Sequence, residues 1–178
     1  VRLVVFDVDG VLTDGGVYVG RSRGPGGWDG DPVELKRFNI QDGLGLKMLE
    51  WAGMEVMIVS GRHSPATSLR AVELDMSHHQ DDEAQKLPAV LRAMERLGIG
   101  WDAVAMLADD LPDVAVLRRA GLKAAVANAV PQVAEMAHWQ STRPGGHGAA
   151  REFCDALLSA RGQLDEVVEA YVAQRSGS

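Results

Sequence analysis

The sequence predicts a doubly wound α/β fold built on a parallel sheet, and three observations carry that prediction. Short apolar runs alternate with helical patterns along most of the chain. The runs are apolar throughout rather than at every second position, as strands covered on both faces must be. The boundaries carry their own punctuation: Ser64-Pro65 reads as a cap followed by proline in the first helical turn, and Gly53, Gly98 and Gly121 stand where helices should stop.

In chain order the elements are VRLVVFD, DGLGLKMLEWAG, MEVMIVS, SPATSLRAVEL, KLPAVLRAMERLG, DAVAMLAD, LPDVAVLRRAG and LKAAVAN. Two segments depart from this rhythm. Residues 17–38 place two short β-like stretches around a glycine- and proline-rich tip, which predicts a projecting hairpin flap. Residues 143–178 read as a glycine-rich turn, then a helical tail broken near Gly162 and running to about Gln174, with a frayed RSGS end. A chain of 178 residues, 46% hydrophobic, is expected to form one domain around one core.

The net charge of −7 and a pI near 5.2 argue against nucleic acid or an anionic membrane as partner, since either calls for a basic face. No apolar run approaches the roughly 20 residues that span a bilayer, and the opening VRLVVFD lacks the basic head and cleavage site of a signal peptide. A cytoplasmic location is the expectation. The single cysteine, Cys154, lies in an amphipathic pattern and reads as a buried, inert thiol.

Chemistry concentrates where the first strand ends, at Asp7-Val8-Asp9-Gly10. A doubly wound sheet receives ligands beyond the carboxyl ends of its strands. Two carboxylates one residue apart, followed by a glycine that turns the chain, can converge on a hard cation such as Mg2+. Such a cation would neutralise a phosphate monoester and let one carboxylate attack it. Three further elements end or begin on the same rim. Ser60-Gly61-Arg62 offers a hydroxyl and turn amides to a phosphoryl oxygen. Lys86 opens a helix and supplies a fixed positive charge, and Asp109-Asp110 with Asp113 adds carboxylates.

DVDGVLTD, VSGR, Lys86 and ADDLPD, in that order, resemble the four motifs of haloacid dehalogenase superfamily phosphatases. By that resemblance Asp7 is the nucleophile and Asp9 the general acid/base. Ser60 and Gly61 bind the phosphoryl group, and Lys86 holds Asp7 and phosphate together. Asp109 completes the magnesium site with the Asp7 carboxylate and the Asp9 backbone carbonyl, while Asp110 and Asp113 support it. The intervals between motifs leave no room for a cap domain, so a haloacid dehalogenase-like Rossmannoid core with an open site is expected.

The flap, the segment ELKRFNIQDGLGLK and the tail GGHGAARE are similar to the 3-deoxy-D-manno-octulosonate 8-phosphate phosphatase family, over nearly the whole chain. That resemblance implies a small sugar-acid phosphate as substrate and a place in lipopolysaccharide biosynthesis. It also implies a homotetramer joined through the flaps, and Arg62 and Arg70 as contacts for anionic groups of the substrate. Relatives acting on nine-carbon keto sugar acid 9-phosphates can carry glutamate at the position of Arg62, so arginine leans toward the eight-carbon substrate. A phospho-accepting receiver domain is a rival from another class, but Asp9 would hasten loss of its phosphoryl group. A non-catalytic interaction subunit is a second rival.

Several residues are set aside. His78 and His79 on an extended stretch point to opposite sides and read as surface linker. Trp51 reads as core, and Trp28 as either an oligomer contact or an exposed flap tip.

Overall fold

Six strands form one parallel sheet, in the spatial order Ser77–Gln80, Glu55–Ser60, Leu3–Asp7, Val104–Ala108, Leu122–Ala125 and Trp139–Gln140. The computed structural model describes residues 1–80 and 85–176. Residues 81–84 of the polar run SHHQDDEAQ, and the last two of the RSGS end, lie outside the described residues. The elements in chain order are β1 (Leu3–Asp7), β2 (Tyr18–Arg21), β3 (Pro32–Leu35), α1 (Ile40–Trp51), β4 (Glu55–Ser60), α2 (Pro65–Glu73), β5 (Ser77–Gln80), α3 (Lys86–Leu97), β6 (Val104–Ala108), α4 (Val114–Leu117), β7 (Leu122–Ala125), α5 (Pro131–Ala134), β8 (Trp139–Gln140), α6 (Ala149–Ala160) and α7 (Leu164–Arg175).

Successive residues of β1 bury themselves in opposite layers, as the two-residue period of a strand requires. Val4 and Phe6 pack with Leu46 and Leu49 of α1, Ile58 of β4 and Phe153 of α6. Leu3 and Val5 pack with Val90 and Met94 of α3, Met106 of β6 and Leu117 of α4. The Phe6 and Phe153 rings meet edge to face at 6.1 Å, a favoured aromatic geometry. The chain runs from β1 out to β5 on one side and returns beside β1 with β6. The sheet therefore reverses at β1, and a crevice is expected at the carboxyl ends of β4, β1 and β6.

Helix boundaries follow local chemistry. The Asn39 side chain accepts from Gln41 N to cap α1, and Ser64 accepts from Thr67 N to cap α2, with Pro65 in its first turn. Gly98 ends α3 with φ +60°, a left-handed conformation that costs glycine little. The tail breaks at Gly162 (φ +66°) between α6 and α7. Strands β2 and β3 pair antiparallel as the expected hairpin flap, with Tyr18 opposite Leu35 and Val19 opposite Glu34. Among the described residues no helix is long and apolar enough to cross a membrane.

Four local expectations are corrected. Residues 77–80 are not linker but an edge strand, pairing with β4 through Ile58 opposite His78 and Val59 opposite His79. Pairing needs only backbone groups, and an edge leaves side chains in solvent, so the apolar signal is missing. Trp51 is not core: it is half exposed and stacks on Tyr171 of α7 at 5.5 Å. The helix expected over LPDVAVLRRAG shrinks to α4, preceded by a tight turn over Leu111–Asp113. Gly121 is a close-approach glycine rather than a helix stop. Its amide donates to Trp101 O at 2.8 Å, and a Cβ would lie 2.6 Å from Asp102 O.

Candidate active site

The loop after β1 is shaped to hold two carboxylates apart. Asp7 ends the strand buried, and Gly10 follows with φ +93°. A Cβ at Gly10 would lie 2.0 Å from Asp109 Oδ2, so both the turn and the approach of the β6 loop demand glycine. The Thr13 hydroxyl fastens this turn, donating to Val8 O at 3.2 Å and accepting from Gly10 N and Gly15 N. The tail presses on it from outside. Gly146 N donates to Val11 O at 2.9 Å, and a Cβ on Gly145 would collide with Gly10 O.

Lys86 stands at the start of α3 with its ammonium buried between two acids. It donates to Asp7 Oδ1 and, at 2.6 Å, to Asp113 Oδ1. Asp109 N donates to Asp113 Oδ2 at 3.4 Å, which fixes the third carboxylate alongside. Burial alone would lower the Lys86 pKa, but the charges of Asp7 and Asp113 hold it well above the ordinary lysine value. Burial, then the charge of Asp7, raises Asp109 to about 8; the same two causes raise Asp113 to about 7, against the pull of Lys86. Three acids thus share one ammonium, and the site wants another cation.

The residues present fit a divalent ion. Oxygens of Asp7, Asp109 and Asp113 lie within 4.8 Å of one another, and Asp109 Oδ1 is buried without a hydrogen-bond partner. An all-carboxylate set suits magnesium.

Around this cluster opens a cavity of about 180 Å³ lined by Asp7, Asp9, Gly61, Arg62, Lys86 and Asp109, among others. Asp110 also borders it, and its side chain accepts from Leu111 N at 2.7 Å. Ser60 is buried, with its hydroxyl donating to Arg62 O at 3.0 Å and accepting from Arg62 N at 3.3 Å. Arg70 is not brought to this cavity. Its guanidinium donates to Glu73 at 2.8 Å and to Asn39 O at 3.4 Å and lies 5.9 Å from the Phe38 ring centre, bracing the base of the flap. Cys154 is fully buried, and desolvation raises its thiol well above its usual value, as expected of an inert cysteine.

Sequence reasoning missed two flap residues. Lys36 Nζ lies 2.7 Å from Asp9 Oδ1. Glu34 accepts from Arg62 Nη2 and from the Ser64 hydroxyl. Burial would raise the Glu34 carboxyl, but the Ser64 hydrogen bond and the charges of Lys36 and Arg62 hold it below its ordinary value. The spacing of two charges at alternate positions in PVELKRF was the available signal, because it puts both on one face of a strand.

Comparison with known proteins is consistent with this geometry. The sequence profile of a family described as haloacid dehalogenase-like hydrolase matches residues 79–153. The 3-deoxy-D-manno-octulosonate 8-phosphate phosphatase KdsC of Escherichia coli (strain K12) is 39% identical over 166 residues, spanning 93% of this chain and 84% of its own. Among solved structures, the phosphatase of that name from Moraxella catarrhalis, in complex with magnesium ion, phosphate ion and a KDO molecule, aligns with a TM-score of 0.83. It is 34% identical and covers 96% of this chain and 93% of that one. The Yersinia pestis protein of the same name aligns with a TM-score of 0.82 at 36% identity, over 93% of this chain and 84% of that one.

Proposed function

Because this chain belongs to the 3-deoxy-D-manno-octulosonate 8-phosphate phosphatase family of haloacid dehalogenase-like hydrolases, we propose that it hydrolyses that sugar-acid phosphate through an aspartyl-phosphate on Asp7. The observation that carries this reading is the buried Asp7–Lys86–Asp113 array with Asp109 beside it, at the point where the sheet reverses.

An oxygen of Asp7 attacks phosphorus while the ester bond to the sugar oxygen breaks, and Asp9 gives its proton to that departing oxygen. Water then attacks phosphorus and passes a proton to Asp9. The bond from phosphorus to Asp7 breaks, releasing inorganic phosphate and restoring the carboxylate. Lys86 fixes the attacking carboxylate and offers its ammonium to the phosphoryl oxygens, which the Ser60–Gly61 turn receives. The carboxylates of Asp7 and Asp109 and the backbone carbonyl of Asp9 would hold magnesium, which when bound would supply the charge that neutralises those oxygens. Arg62, on the cavity wall, takes the substrate's carboxylate.

A metal response with a defined sign follows. In the unfolded chain Asp109 and Asp113 titrate near 3.8, and in the folded, metal-free protein near 8 and 7. Between those values the folded state holds more protons, so these two groups make stability fall as pH rises. Magnesium would bind ionised Asp7 and Asp109 and so relieve the crowding that raises Asp109 and Asp113. Its effect on melting temperature should be larger at about pH 8 than at about pH 5, with protons released on binding. A calorimetric shift that is equal or smaller at the higher pH would contradict the assignment of these acids.

We further propose that four copies assemble through their flaps. Tyr18, Val19 and Leu35 are exposed on a two-stranded ribbon, and such a ribbon is marginal alone and offers pairing edges. Tyr18 and Leu35 form a cross-strand pair on the face opposite Glu34. Charging them together, as Tyr18→Lys with Leu35→Lys, should give smaller species by light scattering. Activity should then be compared on eight- and nine-carbon keto sugar acid phosphates and on an aryl phosphate. The natural protein is expected to favour the eight-carbon compound by kcat/KM, and the double variant to lose more on sugar acids than on the aryl ester. Preference for the nine-carbon compound would overturn the substrate assignment, and an unchanged mass would overturn the flap interface.

A further inference from the structure

We propose that Lys36, at the root of the flap, is a positioning residue for the reaction, holding the Asp9 carboxylate in place for its two proton transfers. Its side chain is wholly covered, although lysine is rarely buried without a partner. Nζ lies 2.7 Å from Asp9 Oδ1, donates to Thr67 Oγ1 of α2 at 3.4 Å and stands 3.9 Å from Glu34 Oε1. Three separate segments thus meet on one ammonium: the loop after β1, the first turns of α2, and the flap.

Asp9 needs such a restraint. It sits in a turn with φ −79° and ψ 108°, directly before the left-handed Gly10. Its carboxylate is 27% exposed, and Lys36 is the one cation within ion-pair distance of it among the described residues. Asp7 is held by Lys86 instead, so each of the paired aspartates has its own buried lysine from a different element. Glu34, two residues earlier on the same face, engages Arg62 and Ser64. Glu34 of β3 and Lys36 just beyond it therefore grip the loops after β4 and β1, and the flap acts on the chemistry of its own chain, apart from any role in assembly.

Misplacing a catalytic group by about 1 Å can cost on the order of 10²-fold. The loss should fall only on steps that need Asp9. This inference rests on Asp9 being the acid/base, and the test separates the two ideas. With p-nitrophenyl phosphate the nitrophenolate departs without a proton, so transfer to Asp7 scarcely needs Asp9, whereas hydrolysis of the aspartyl-phosphate does. In rapid-mixing experiments Lys36→Met should keep the nitrophenol burst rate within about threefold while steady-state turnover falls at least about tenfold. Transfer from the sugar-acid phosphate, whose alkoxide must be protonated, should itself slow at least about tenfold. Lys36→Arg should restore most of both losses. If Lys36→Met melts below the assay temperature, Lys36→Gln carries the same readouts.

Burst and turnover both at natural rates, or both reduced by one common factor on both substrates, would overturn the proposal. Asp9→Asn serves as the control. If it turns over normally, the acid/base reading itself fails; an impaired Asp9→Asn beside a normal Lys36→Met overturns the positioning role alone.

Discussion

Asp7→Asn is expected to abolish turnover, by on the order of 10⁴-fold or more, while the fold survives. The amide keeps the volume of the buried side chain but loses the anionic oxygen that attacks phosphorus and the charge that holds metal. Lys86 does not become an orphan, because Asp113 still accepts from it at 2.6 Å. Removing one negative charge also eases the crowding that raises Asp109 and Asp113. The variant should therefore melt within about 4 °C of the natural protein, and without metal at alkaline pH it should melt no lower. Steady-state assays on the sugar-acid phosphate check the first expectation and scanning calorimetry the second. Activity within about tenfold of natural would end the case for covalent catalysis.

Lys86→Met should harm both activity and stability, and its stability loss should depend on pH. In the natural protein the lysine's pKa is raised, so its contribution is fully present below the ordinary value of 10.5 and fades only above the raised one. Any difference between about pH 5 and pH 8 must then come from the acids it leaves behind. Breaking a buried pair by deleting one partner costs about 3–5 kcal/mol when the other stays charged. At about pH 5 Asp109 and Asp113, already titrating near 8 and 7, are protonated and need no counter-ion. Without the ammonium that lowers them, both pKa values rise further. At about pH 8 the folded variant must then hold protons that the unfolded chain has lost, and its stability falls more than that of the natural protein. The drop in melting temperature should be larger at pH 8, and magnesium should recover part of it. An equal or larger drop at pH 5 would mean that Lys86 stabilises the protein by packing rather than by charge.

The core of this site could be read from sequence because a parallel sheet converts chain order into spatial position. Asp7, Ser60 and Asp109 each end a strand or follow one directly, and β4, β1 and β6 are neighbours. Lys86 was legible because it opens a helix on the same rim. The flap's contribution was not. Alternating residues show that Glu34 and Lys36 share a face, yet nothing local says whether that face meets solvent, a neighbour or the catalytic loop. The direction Arg70 takes within its own chain was hidden for the complementary reason. In sequence terms a helical arginine two turns from the VSGR motif has no fixed direction around the helix axis, and packing against Phe38 and Asn39 sets it. Edge strand β5 was hidden because hydrogen bonding to β4 leaves no mark on side-chain choice at an edge. Trp51 followed the helical pattern faithfully, but α7 rather than the sheet covers it.

The central claim is a covalent phosphoryl-enzyme on one named carboxylate. The most direct measurement mixes excess enzyme with substrate and magnesium, quenches during turnover, reduces with borohydride and sequences the peptides by mass spectrometry. Reduction converts an aspartyl-phosphate to homoserine, so the account predicts homoserine at position 7, dependent on substrate and absent from Asp7→Asn. Homoserine at another aspartate, or full turnover with position 7 unmodified throughout, would contradict it.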